Sequence, residues 1–244
     1  WISRRRLLSF AALVIACLIP GSVASSSSGS VDGWSQLGSD ITSGSSQWRH
    51  GYAQALSGDG TRLVAGAPTD STDGPGRVQV FEWSGTEWVE LGAELTGADS
   101  GDEFGNWVAI TESGDRIAVS SPRSGNDAGQ VQVFDWDGTT WNQVGSTLLG
   151  EEDDYFGFRM TISGDGNRLA VGTPYSTSCT PNSVAGVIQV FEWSGSDWSQ
   201  LGDDIASGEV GFGCAIDLSL DGSRLITGAS QDSCPHTNCP GQVR

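Results

Sequence analysis

The chain has 244 residues and a formal charge of −18, from 12 arginines, no lysine and 30 acidic residues, with 35 glycines and ten tryptophans against a single methionine. Glycine and tryptophan at these levels exclude a helical bundle and suit many short strands joined by tight turns. A surface this negative repels phosphate backbones and anionic lipid, so neither nucleic-acid binding nor electrostatic membrane attachment is expected.

Residues 1–24 have the three parts of a secretory signal: Arg4-Arg5-Arg6, an apolar run from Leu7 to Ile19, and Ser22-Val23-Ala24 with small residues where a peptidase needs them. The run is shorter than the roughly 20 residues of a membrane-crossing helix, so the expectation is export, to the medium or the cell surface, with no membrane insertion beyond this segment. The chain opens on Trp1, not Met, which keeps an uncleaved anchor open. Without the signal, nine arginines face 30 acidic residues. A serine-rich linker follows over 25–33.

Three strings then repeat in one order. Trp34-Ser-Gln-Leu-Gly38 recurs as Trp88-Val-Glu-Leu-Gly92, Trp141-Asn-Gln-Val-Gly145 and Trp198-Ser-Gln-Leu-Gly202. Gly76-Arg-Val-Gln-Val-Phe-Glu-Trp83 recurs at Gly129–Trp136 and Gly186–Trp193, and begins again at Gly241. A turn ending in arginine recurs as Ser57–Arg62, Thr111–Arg116, Ser163–Arg168 and Ser219–Arg224. The period is about 54 residues, long enough for one supersecondary unit.

Within a period, alternation and turn chemistry predict four strands. In the first unit these are Tyr52–Leu56, Arg62–Ala67 (closed by Pro68, which has no N–H for a ladder), Arg77–Trp83 and Trp88–Leu91. The hairpins Ser84-Gly85-Thr86-Glu87, Asp137-Gly138-Thr139-Thr140 and Ser194-Gly195-Ser196-Asp197 put Gly at the first central position, where a type II′ turn requires positive φ. That register sets Trp83 against Trp88, Trp136 against Trp141 and Trp193 against Trp198, cross-strand pairs that clasp each hairpin.

Tandem four-stranded antiparallel units of this size predict an all-β fold, a β-propeller. Complete blades fit residues 48–97, 102–150 and 154–207, with a partial one over 211–244. Residues 34–42 read as a stray outer strand of a closing blade, so the propeller region spans 34–244 and its ring is expected to be incomplete in this fragment. Loops joining blade to blade share one face with the loops between second and third strands, and they are acidic. Asp99, Asp102, Glu103, Glu151, Glu152, Asp153, Asp154, Asp203 and Asp204 are the candidate ligand-face residues.

Four cysteines remain outside the signal. Cys234 and Cys239 suit a small disulfide loop; Cys179 with Cys214 is a looser suggestion. No nucleophile elbow, zinc-protease helix or phosphate loop is present, so no catalytic residue is assigned. His50 and His236 fall in loop sequence.

Phe104-Gly105, Phe156-Gly157 and Phe212-Gly213 open successive units, with Gly51-Tyr52 as a divergent copy. They lead to Gly66-Ala67-Pro68, Ser120-Ser121-Pro122, Gly172-Thr173-Pro174 and Gly228-Ala229-Ser230. In this order the chain resembles the FG-GAP repeat family of β-propellers, including secreted and surface microbial proteins and the integrin α-subunit head. The resemblance implies the fold and an adhesion or recognition role. Calcium-binding members carry alternating aspartates in the first turn; here that turn holds one or two acids, such as Asp59. One carboxylate does not meet the six to eight oxygens Ca²⁺ takes, so no metal site or cofactor is expected, and at most a weak attraction of Ca²⁺ to the loops.

The expectation is therefore a non-catalytic extracellular or cell-surface module that binds protein or glycan through its loops. A structural wall or matrix protein without a specific ligand, and a polysaccharide-acting hydrolase, are the alternatives.

Overall fold

A computed structural model describes residues 35–42, 49–69, 74–174, 185–210, 212–229 and 242–243. The secretory segment, the linker, Cys179, Cys234, Cys239 and His236 lie outside the described residues.

Four antiparallel sheets follow one another along the chain. The first holds β1 (Ala53–Leu56), β2 (Arg62–Ala67), β3 (Arg77–Trp83), β4 (Trp88–Glu90) and β5 (Leu95–Thr96). The second holds β6 (Val108–Ile110), β7 (Arg116–Ser121), β8 (Gln130–Trp136), β9 (Trp141–Gln143) and β10 (Leu148–Leu149). The third holds β11 (Arg159–Ile162), β12 (Arg168–Thr173), β13 (Ala185–Trp193), β14 (Trp198–Gln200) and β15 (Ile205–Val210); the fourth begins with β16 (Ala215–Leu218), β17 (Leu225–Ala229) and β18 (Gln242–Val243). Strands pair in chain order within each sheet, and the innermost strands β1, β6, β11 and β16 touch in succession. The chain is a β-propeller, seen here as an arc of four blades.

The first three blades depart from four strands in one respect. The outermost strand is split: β4 pairs with the end of β3, and β5 pairs with its start at Arg77 and Val78. The break falls at Leu91-Gly92, and β10 and β15 repeat it. An irregularity of this kind bends an edge strand and interrupts its free hydrogen-bonding row, which protects an outer edge from pairing with other chains.

The core lies between blades. After the first residue, every residue of β2, β7 and β12 is buried, because both faces of these strands are covered by neighbouring sheets. One apolar cluster joins Val64, Val78 and Val80 of the first blade to Val108, Ile117, Val119 and Phe134 of the second. Another joins Val131 and Val133 to Met160, Leu169, Val171 and Phe191. Full burial of a Val, Leu or Phe side chain contributes roughly 1.5–3 kcal/mol, so blades hold each other more than they hold themselves.

The Phe-Gly strings mark the junctions. Phe104 and Phe156 are almost fully buried, and each meets the phenylalanine of its own blade edge-on, Phe134 at 6.5 Å and Phe191 at 5.9 Å between centroids. Each also forms a parallel bridge to the glycine that starts the preceding third strand, Gly76 to Phe104 and Gly129 to Phe156. A Cβ on Gly129 would lie 2.3 Å from the Phe156 carbonyl oxygen. The junction therefore requires glycine for space as well as for its φ of 82°.

The hairpins follow the predicted register, with Trp83 opposite Trp88, Trp136 opposite Trp141 and Trp193 opposite Trp198. Their rings stand 5.4, 5.3 and 5.3 Å apart, tilted by 46–59°. Gly85, Gly138 and Gly195 take φ of 99°, 100° and 94°, with no neighbour where a Cβ would go. Here the backbone angle, not crowding, selects glycine.

Candidate functional site: the loop end of the blades

The blades have two ends. One carries the Asp/Gly turns and the Trp hairpins; the other carries the loops between blades and between second and third strands.

At the turn end the acidic groups are engaged in holding the turns. Asp59 Oδ1 accepts the Thr61 N–H at 2.9 Å and the hydroxyls of Ser57 at 2.7 Å and Thr61 at 2.8 Å. Asp165 is held in the same way by Ser163 and Asn167, and Asp221 by Ser219 and Ser223. These bonds lower all three carboxyls below the usual range, Asp59 chiefly through the Thr61 amide, Asp165 through the Ser163 hydroxyl, and Asp221 to about 2 through the Ser219 hydroxyl. Among the described residues no group of three or more His, Cys, Asp or Glu is placed to hold a metal.

Arginine and tryptophan lock neighbours at this end. Arg116 makes a bidentate pair with Asp135 (2.6 and 2.8 Å), donates to the Gly166 carbonyl of the next blade (2.8 Å) and lies 5.0 Å from the Trp193 ring centroid. Arg62 likewise pairs with Glu82 at 3.0 Å and donates to the Gly114 carbonyl, and Arg168 makes one longer contact with Glu192 at 3.4 Å and donates to the Gly222 carbonyl. The indoles reach the other way, from Trp141 Nε1 to the Leu91 carbonyl at 2.9 Å and from Trp88 Nε1 to the Leu37 carbonyl at 3.3 Å. Leu37 is buried and Gly38 lies under the Trp83 ring. Residues 35–38 thus sit on the first blade as Glu90-Leu91-Gly92 sits on the second. Trp198 Nε1 is buried without an acceptor; there Asp197 takes over the contact, accepting the Ser146 N–H at 2.7 Å.

The loop end is built differently in each blade, and it gathers part of the predicted acidic set. Glu103 and Asp127 both bond Arg123, at 3.1 and 3.3 Å. Asp127 Oδ2 also accepts the Tyr155 hydroxyl at 3.0 Å, and Arg123 stands 5.8 Å from the Tyr155 ring. Backbone bonds tie the same three loops: Arg123 N–H to Asp102 O, Asp153 N–H to Asn126 O, and Tyr155 N–H to Asp127 O. Asp102 and Asp154 are half-buried. Burial pushes both carboxyls up; Asp99 adds to it at Asp102, and Glu151 with Asp204 at Asp154, while the Ser124 hydroxyl and the Glu151 N–H oppose. Asp203 and Asp204, expected in a loop between blades, lie instead in the break of the outer strand between β14 and β15, where Asp204 accepts the Gln189 and Gln200 amides at 3.0 and 2.8 Å. Asp99, Glu151, Glu152, Asp153 and Asp203 are exposed.

The loop backbone is strained. Gly125, Asn126 and Asp127 form a left-handed turn with φ of 63°, 61° and 59°; Glu103, Asp153 and Tyr155 are also left-handed, at 59°, 67° and 52°. Asn and Asp enter this region readily, whereas a left-handed Glu or Tyr costs about 1–2 kcal/mol; Glu103 and Tyr155 take it directly ahead of Phe104-Gly105 and Phe156-Gly157, as Arg49 does at the equivalent position of the first unit.

Three residues of this end carry no acidic signature. Arg159 lies with its guanidinium carbon 4.4 Å from the Trp107 ring centroid and 4.5 Å from that of Phe158. Trp107 is fixed by its own indole bond to the Met160 carbonyl at 2.7 Å. Burial lowers Arg159 from the ordinary arginine range, opposed by the Tyr52 phenol. Arg123 and Arg159 are legible only as arginines outside the repeated turn position; Tyr155 leaves no signal. His50, expected in a loop at the surface, is part-buried, 3.0 Å from the Gln79 amide oxygen and edge-on to Phe81; burial lowers its imidazole. Cys214 is disulfide-bonded.

No protein-family model and no curated protein matches the sequence. Among solved structures the chain is similar to hydrazine synthase of Kuenenia stuttgartiensis (16% identity, TM-score 0.48, covering 72% of this chain and 49% of that one). It is also similar to TolB of Acinetobacter baumannii (15%, 0.43, 76% and 38%) and to the β-propeller domain of the trilobed protease of Pyrococcus furiosus (6%, 0.47, 75% and 50%). The matches span half or less of each of those proteins.

Proposed function

We propose that the chain is a non-catalytic extracellular or cell-surface binding module of FG-GAP type, with the loop end as its recognition surface for a protein or glycan. One observation carries the reading. Among the described residues the side-chain network of Arg123 with Glu103, Asp127 and Tyr155 is made at one blade junction and at no other. A network outside the repeating framework is one the stacking of blades does not need, and loops carrying such contacts are where binding residues concentrate. A disulfide at Cys214 agrees with an oxidising compartment.

A screen of the purified chain against glycans and extracellular matrix proteins tests the reading, with Arg123→Gln beside it. Saturable binding weakened by Arg123→Gln supports recognition by the loop end. Binding to nothing assigns a structural spacer, and chain shortening of a polysaccharide assigns a hydrolase; either overturns it.

A further inference from the structure

Arg62, Arg77, Arg116, Arg123 and Arg168 each hold a carboxylate. Arg159 is part-buried too, yet among the described residues none pairs with it. Its place explains why this matters. It opens β11, the innermost strand of its blade, at the loop end. Stacking against Trp107 and Phe158 fixes the guanidinium plane but consumes none of its N–H groups. A guanidinium has five N–H donors, and among the described residues Arg159 donates to one acceptor, the Phe158 carbonyl at 2.8 Å from Nη1. A part-buried fork held against two aromatic rings fits a planar anion that brings an apolar face with it.

We infer that Arg159, stacked on Trp107 and Phe158, is a subsite for the carboxylate of an acidic sugar, a single uronate unit whose ring lies against the aromatic rim. This rests on the loop end being a binding surface, and names what it takes. Guanidinium–carboxylate pairing is bidentate and geometry-specific. A carboxylate is preferred to a phosphate because the protein's large negative charge opposes a dianion more than a monoanion. The same repulsion favours one terminal uronate over a polyuronate run.

The test is calorimetric titration of the whole chain with an oligosaccharide bearing one terminal glucuronate, and with its methyl ester, which keeps the sugar and removes the charge. The acid form is expected to bind at least about tenfold more tightly than the ester, in keeping with the strength of charge-assisted pairs. Arg159→Gln should abolish that difference, and Arg159→Lys should restore part of it. Should Arg159→Gln not fold, Arg159→Lys by itself should shrink the difference between acid and ester, and an unchanged difference overturns the inference. Equal binding of acid and ester by the wild-type chain overturns the inference. So does a difference that survives Arg159→Gln, or binding of an acidic peptide in preference to the uronate. Neutral glycan or protein binding untouched by Arg159→Gln leaves the loop-end reading standing without this subsite; no binding of any ligand removes both.

Discussion

At the turn end of the blades the same contacts are made again and again: an aspartate inside each Asp/Gly turn, an arginine crossing to the next turn, a pair of tryptophans closing each hairpin. At the loop end the backbone of the Phe-Gly junctions also recurs, down to a left-handed residue ahead of each (Arg49, Glu103, Tyr155), but among the described residues the side-chain network of Arg123 with Glu103, Asp127 and Tyr155 is made once. Contacts that recur with the period serve what every blade needs, which is to pack on its neighbour. Contacts made once have no such reason, and point to something specific to this protein.

Variants at the two ends should therefore fail in different ways. The largest effect belongs to Trp141→Ala, which removes a buried ring, its partner stacking and its bond to Leu91. The expected loss is about 3–5 kcal/mol in chemical unfolding; a loss below about 1 kcal/mol would mean the clasp is decorative. Gly129→Ala comes next, on the order of 3 kcal/mol from positive φ and the clash with Phe156. It lies one layer beneath the loops, so its cost shows that the periodic framework reaches right up to the irregular surface. Arg116→Gln follows, at about 1–2 kcal/mol, since Asp135 keeps partial access to water while the bonds across the blade junction are lost. Arg123→Gln should alter unfolding by less than about 1 kcal/mol while reducing ligand binding. Equal damage to stability at Arg116 and Arg123 would erase the distinction between the ends.

The smallest effect is a difference in pH response. The folded carboxyls of Asp165 and Asp221 are depressed, that of Asp221 to about 2. Their stabilisation is present above the unfolded carboxyl range near pH 4 and is lost as pH falls through the depressed values. Asp102 and Asp154 are raised, so theirs is present below about pH 4 and is lost as pH rises through the raised values. Acidification from neutrality should relieve the loop end first and loosen the turn end last. Carboxyl-carbon NMR titration checks the order, and titration of Asp221 before Asp102 would reverse the assignment.

Much of the fold was legible because its determinants are local and periodic. The bounds of β2 and β3 followed from alternation and Pro68, and the tryptophan register followed from one glycine per hairpin. The split of the outer strand at Leu91-Gly92 was not legible, since Trp-x-Glu-Leu-Gly looks like a strand followed by a turn, and only pairing to the far end of β3 shows that it resumes. At the candidate site the acidic loops could be located but not sorted. Glu103 and Asp127 are tied to Arg123, Asp204 to two glutamines, and Glu152 stays in solvent; the difference depends on side chains brought from other loops. Arg159 was invisible for the converse reason. What distinguishes it is that no carboxylate among the described residues pairs with it, and a sequence does not display which neighbours are missing.

Arginines at the turn end reach toward the following unit, Arg62 to Gly114 and Arg116 to Gly166, while the indoles of Trp88 and Trp141 reach toward the preceding one. The first two units accordingly present half of two different fasteners on each side. Were a whole unit deleted or duplicated, the newly adjacent flanks would still supply matching halves, but an excision of half a unit would leave donors and acceptors stranded. Copy number in such a chain is free to drift during gene duplication, and the phase of the cut is not.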